Sequence, residues 1–160
     1  MTHAADAAFA RHCETLGIQF EPDIKPGANY DVAVEHDGEV WISGQVPRVQ
    51  GQIAVTGALG ATATLADGQR AAAICVLRAL AILQQRLGSL ARVTRLLRMT
   101  VYTNSASGFT QHSEVSDGAS AVLYDVFAPN GAHTRTSVGV AALPKNAAVE
   151  LDLVVAVSAA

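Results

Sequence analysis

The chain has 160 residues, enough for one domain with a real core and no need of disulfides or a structural metal. Half of it is apolar yet only 5% is aromatic, so the core must be built from Ala, Val and Leu with close backbone packing. A formal charge of −3 with scattered basic residues excludes a strong phosphate-binding face, and Arg92, Arg95 and Arg98, which recur every three positions, read as surface.

The N-terminal stretch is interrupted by Asp6, Arg11, His12 and Glu14, which is not the pattern of an export signal. Residues 3–17 instead read as a short Ala-rich helix closed by Gly17. Runs at Asp31–Val34 and Glu39–Ser43 flank His36-Asp37-Gly38, a hairpin signal. From Ser43 to Leu65 the glycines Gly44, Gly51, Gly57 and Gly60 mark loop, with a short strand at Ile53–Thr56. Ala73, Val76, Leu80, Leu83 and Leu87 then recur at three- and four-residue intervals between Asp67 and Gly88, the period of an amphipathic helix. The apolar run around Ala71–Leu83 holds Arg78 and is too short to span a bilayer, so no membrane association is expected.

Leu96–Thr103, rich in Val, Tyr and Thr, reads as a central strand. Phe109–Phe127 shows helical spacing through Val115, Ala119, Val122, Leu123 and Val126, with Gly118 as a weak point. Thr136, Val138 and Val140 alternate, as do Val149, Leu151, Leu153, Val155 and Val157, which predicts two terminal strands joined as a hairpin across Leu143-Pro144-Lys145-Asn146. The whole is one α+β domain over residues 1–160, a mixed or antiparallel sheet of five or six strands with two main helices on one face. The other face would expose Val and Leu in a monomer, so oligomerisation is the physical expectation.

The most informative stretch is Arg135-Thr136-Ser137-Val138-Gly139-Val140-Ala141-Ala142-Leu143-Pro144, with Glu150 fifteen positions after the arginine. With Tyr30, Ile42-Ser43-Gly44-Gln45, Gly57-Ala58-Leu59-Gly60 and Asp67-Gly68-Gln69, it resembles the Rid/YjgF family of reactive-intermediate deaminases over about residues 25–157. The glycine loop and the length place the chain nearest the longer, L-PSP-like subgroup, some of whose members carry an endoribonuclease label. The resemblance implies a chorismate-mutase-like fold and a homotrimer with ligand sites in clefts between subunits. It also implies hydrolysis of enamines or imines such as 2-aminoacrylate to a ketoacid and ammonia, with no metal or organic cofactor.

For that reaction, the guanidinium of Arg135 would clamp a substrate carboxylate. Glu150 would relay protons through water. Tyr30, Ser43, Gly44, Asp117 and Ser137 would line the cleft. Asp117 stands where the family usually has an asparagine, and Ser137 where many relatives have a cysteine; a carboxylate accepts hydrogen bonds but cannot donate them. Taken singly, Arg135 is also what a strand-end arginine paired with a surface acid looks like, Glu150 an exposed strand residue, Tyr30 a packing residue and Gly44 a bulge.

His3, His12, His36, His112 and His133 show neither HxH nor HExxH spacing, and Cys13 and Cys75 form no CxxC, so no metal site is expected. Ser43 lacks a GxSxG context and Gly57–Gly60 lacks a phosphate-cradle pattern. The expected partners are therefore a small imine or carboxylate ligand and further copies of the chain, without nucleic acid, in a reducing cytoplasm. A trimer that binds a carboxylate metabolite without turnover is the alternative from another functional class.

Overall fold

The computed structural model describes residues 3–159. Helix α1 spans Ala4–Leu16 and ends on Gly17, whose backbone adopts the left-handed conformation (φ 62°). A hairpin follows, with β1 (Ala33–His36) and β2 (Glu39–Gln45) paired antiparallel, His36 opposite Glu39. Asp37 (φ 49°) and Gly38 (φ 80°) form its two-residue loop, so the turn fixes where β1 ends and moves the strand two residues beyond the predicted limit at Val34. A small ribbon, β3 (Arg48–Val49) with β4 (Gln52–Ile53), replaces the predicted strand over 53–56; Thr56 makes only an isolated bridge to Ala147.

Helix α2 (Leu65–Leu87) starts two residues before Asp67 because Thr64 and Asp67 form a capping box. The Thr64 hydroxyl accepts from the Asp67 N–H, and the Asp67 carboxylate accepts from the Thr64 N–H. Helix α2 is buried almost all round, from Ala71 through Leu83 apart from the half-buried Ala73. One side packs on the sheet and the other against α3 (His112–Val126). Gly118 is where α3 passes closest to α2: a Cβ there would run into the backbone of Gln69. The glycine that weakens the helix by propensity is thus the one that lets the two helices approach. Asp6 ties α1 to this layer, accepting from the Gln84 amide, the Ser89 hydroxyl and the Leu90 N–H. Burial opposes ionisation of Asp6, but those donors outweigh it and hold the carboxyl below its ordinary range.

Strands β5 (Val93–Asn104), β6 (Thr134–Val140) and β7 (Val149–Val157) complete a five-stranded mixed sheet in the order β1-β2-β7-β5-β6. The two terminal strands do not form the predicted hairpin. Helix α3 carries the chain from the end of β5 back to its start, so β6 runs parallel to β5 on the sheet edge. The turn around Pro144–Asn146, with Lys145 and Asn146 in the left-handed region, then delivers β7 to the slot between β2 and β5, antiparallel to both. Alternation along β7 assigns faces and leaves neighbours open, which is why it fitted a hairpin equally well.

Val149, Leu151, Leu153 and Val155 face α2 and are fully buried. On the opposite face Trp41 is 56% exposed and Val34 49%, side by side in the register that continues to Val154. Arg95 and Arg98 lie exposed on β5, whereas Arg92 is half-buried and held by Glu35 and the Ser158 carbonyl. Among the described residues no helix is long and apolar enough to cross a membrane.

Candidate active site

Arg135 lies on the edge strand β6, paired in register with the buried Met99, and its side chain reaches α3. Nη1 donates to Asp117 Oδ1 at 2.8 Å and to Ser120 Oγ at 3.0 Å, and Nη2 donates to Ser113 Oγ at 3.0 Å. Residues 113, 117 and 120 share one face of α3 because they stand four and three apart. His133 extends the network: its Nδ1 lies 2.8 Å from the Gly131 carbonyl and its Nε2 3.0 Å from Ser120 Oγ. With Nδ1–H given to that carbonyl, the neutral ring accepts the Ser120 proton at Nε2, which leaves Ser120 Oγ free to accept from Arg135. Nη1 then has both hydrogens engaged. Among the described residues, Nε–H and one Nη2–H of Arg135 have no partner. The edge that joins Nε and Nη2 is the fork by which a guanidinium takes a carboxylate side-on. Asp117, Ser120, Tyr124, His133 and Arg135 line a cavity of about 260 Å³. Ser137, two residues along β6, shares a hydroxyl contact of 2.7 Å with Ser116 of α3.

Glu150 lies elsewhere. It alternates with Val149 and Leu151, so its side chain leaves the sheet on the face away from Arg135. The register of β2 against β7 slips between Ile42 and Gln45, a bulge at Ser43-Gly44. The Glu150 carboxylate occupies the space where a Cβ on Gly44 would sit. A side chain at this position would displace the Glu150 carboxylate, so the bulge and the placement of Glu150 are linked. Tyr30, Gly44 and Glu150 line a cavity of about 200 Å³, together with Lys25, Gln45, Arg48, Arg78 and others. Burial raises the Glu150 carboxyl above its ordinary range and Asp152 adds to the effect, which moves it toward the range useful to a general base at neutral pH. Ser43 stands beside the cavity, its hydroxyl accepting from Gln45 Nε2 at 3.2 Å.

A family model described as "YjgF/chorismate mutase-like, putative endoribonuclease" matches residues 21–157. The chain belongs to the YjgF/chorismate mutase-like family. Protein TCP17 of Trypanosoma cruzi is 38% identical over 97% of this chain and 98% of its own length. The crystal structure of Atu1372 from Agrobacterium tumefaciens, described as of unknown function, superposes with a TM-score of 0.87 at 32% identity, covering 97% of this chain and 95% of that one. A Shewanella oneidensis protein that shares the endoribonuclease description superposes at 0.85 with 26% identity, covering 93% and 99%.

Within this YjgF-family chain, then, the residues that the motifs single out fall into two groups. Arg135, Asp117 and Ser137 gather at the α3–β6 seam; Tyr30, Ser43, Gly44 and Glu150 gather at the β2 bulge. Arg135 and Glu150 line two separate cavities. Sequence reasoning missed Ser113, Ser116 and Ser120, whose spacing of three and four puts their hydroxyls on the side of α3 that meets β6, Ser116 and Ser120 buried and Ser113 exposed. It also took Arg78 only as a break in an apolar run, although a charge at the centre of a buried helix is itself a signal.

Proposed function

We propose that this protein is an enamine/imine deaminase, hydrolysing reactive 2-imino acids to ketoacid and ammonia, and that it works as a homotrimer. The observation that carries this reading is the division of the site into two complementary halves. One half offers the free edge of a guanidinium for a carboxylate, the other a half-buried carboxylate of raised pKa beside a glycine-lined cavity. A second copy of the chain packed on the exposed sheet face and edge strand would bring one subunit's Arg135 to the next subunit's Glu150.

In that site Arg135 fixes the substrate carboxylate through Nε–H and Nη2–H, and Ser113, Ser120 and Asp117 hold the guanidinium in place. A water adds to the imine carbon, its oxygen forming the new C–O bond while the C=N electron pair passes to nitrogen. Glu150 takes the proton from that water and returns it to the nitrogen. Glu150 then passes the carbinolamine hydroxyl proton to the amine nitrogen, and the C=O bond forms as the C–N bond breaks and ammonia leaves. This chemistry requires neither metal nor organic cofactor. Among the described residues no three His, Cys, Asp or Glu side chains gather at metal-binding spacing.

The test is release of ammonia and ketoacid from enzymatically generated 2-aminoacrylate and a panel of other imines. The wild type should accelerate release, and Arg135→Ala should lose about 10²-fold or more, the worth of two charge-assisted hydrogen bonds, with unchanged oligomeric state. Equal rates for the two proteins would sink the reading.

Asp117 favours a second reading. It already occupies Nη1 of the anchor, as a carboxylate ligand would, and a trimer that binds a carboxylate metabolite without turnover would show saturable thermal stabilisation and no ketoacid release. The endoribonuclease description of similar proteins has less support here, because the charge of −3 and the dispersed arginines provide no groove for a phosphate backbone.

A further inference from the structure

The cavity at the β2 bulge is built around two guanidinium groups whose bonding is incomplete. Arg78 enters it from the most apolar part of α2, with its side chain only 7% exposed. Its Nε donates to Gln45 Oε1 at 3.1 Å, and its Nη1 donates to Glu21 Oε2 at 2.9 Å and to the Arg48 carbonyl at 3.1 Å. Among the described residues its Nη2 has no partner. Arg48 lines the same cavity, and its Nε is buried with no hydrogen-bond partner. Lys25 adds a third cation to the lining.

A buried guanidinium is stable only when its charge is matched and its N–H groups are taken up. Glu21 does this for Nη1 of Arg78. Glu150 is the one carboxylate that lines the cavity, and it makes no hydrogen bond to either arginine among the described residues. The pocket is therefore lined by guanidinium groups from two separate elements, one of them on a side chain more than nine-tenths buried, around a space of about 200 Å³.

We infer that this cavity is an anion subsite, in which Arg78 Nη2 and the outer nitrogens of the Arg48 guanidinium hold a second carboxylate of the ligand. The substrate class is then a dicarboxylic 2-imino acid, and the product a dicarboxylic ketoacid. The inference rests on the deaminase reading for the imine, with Arg135 of a neighbouring copy taking the first carboxylate. Gln45 joins the two parts: it accepts from Arg78 Nε and donates to Ser43, so the anchor and the bulge beside Glu150 are held in one hydrogen-bonded chain.

Calorimetric titration of the full chain with stable ketoacids tests the subsite without turnover. The probes are 2-oxoglutarate and oxaloacetate against pyruvate and 2-oxobutyrate, with inorganic phosphate as a separate arm. The wild type should bind the dicarboxylates ~10-fold or more tightly than the monocarboxylates, the worth of one charge-assisted contact. Arg78→Lys, which keeps a cation for Glu21 but removes the fork, and Arg48→Met, at a less buried position, should each erase that preference while keeping a cooperative fold and the oligomeric state, with Arg48→Met also keeping the melting temperature. Equal affinity for both classes, a preference that survives both substitutions, or phosphate binding more tightly than any dicarboxylate would each overturn the subsite. The deaminase reading fails separately: a dicarboxylate preference with no imine turnover would leave the subsite standing without the reaction, and turnover of monocarboxylic imines with no preference would leave the reaction without the subsite.

Discussion

At the scale of single residues, the competition between Asp117 and a ligand is the point most open to measurement. The Asp117 side chain is 62% exposed, so its pairing with Arg135 belongs to the class of ion pairs worth about 0.2–1 kcal/mol. Asp117→Asn keeps an oxygen for Nη1 but removes the charge, and should tighten binding of a ketoacid by about 1.4- to 5-fold, the same energy expressed as affinity; calorimetry with wild type beside D117N reads this directly, and unchanged affinity would show that the Asp117 charge does not weaken the anchor. Glu150 makes a prediction with a pH signature. Its folded pKa lies above that of the unfolded chain, so its burial costs nothing below the unfolded value and becomes a growing penalty as pH rises through the folded value. Glu150→Gln should therefore melt higher than wild type at pH 7 and no higher at pH 4, while kcat falls by about 10²–10⁴-fold as for loss of a general base. A melting gain that is equal at both pH values would mean that ionisation at this position costs nothing.

At the scale of elements, Gly118 separates propensity from packing. An exposed helical glycine gains about 1 kcal/mol on replacement by alanine, but here the added methyl would meet the Gln69 backbone and force α2 and α3 apart. Gly118→Ala should destabilise by about 1–3 kcal/mol, the usual cost of overpacking, in urea unfolding monitored by circular dichroism; a gain in stability would mean the helices separate freely. The elements also show where periodicity is a sufficient guide. The apolar spacing from Ala73 to Leu87 specified α2 because a buried helix needs that stripe, and Gly17 and Gly88 closed their helices in the left-handed conformation that other residues resist. The Asp37-Gly38 turn specified the hairpin for the same local reason. Strand β6 was different. Its alternation was legible, but its partner was decided by the path of α3, a non-local event that leaves no mark on the strand itself.

At the scale of the whole molecule, the exposed strip of Val34 and Trp41 on the open sheet face is the surface that association would cover. Trp41→Lys should convert the proposed trimer to a folded monomer at micromolar concentration and remove turnover along with it, since the proposed site draws on two copies of the chain; sedimentation velocity and the imine assay on the same preparation check both. An active monomer would overturn the shared-site reading. The amino-acid sequence by itself determined the elements with strong local codes and, through the spacing of Arg135, Leu143-Pro144 and Glu150, the family to which the chain belongs. It also singled out candidate site residues by their chemical type. What only the tertiary structure decided was which of those residues meet. Strand order separated Arg135 from Glu150, the bulge at Ser43-Gly44 brought Glu150 against a glycine, and the packing of α2 turned Arg78 from an interruption into the wall of a cavity. Each of these depends on contacts between segments far apart in the chain, where the energy of pairing is set by shape and burial and no short stretch of sequence records it.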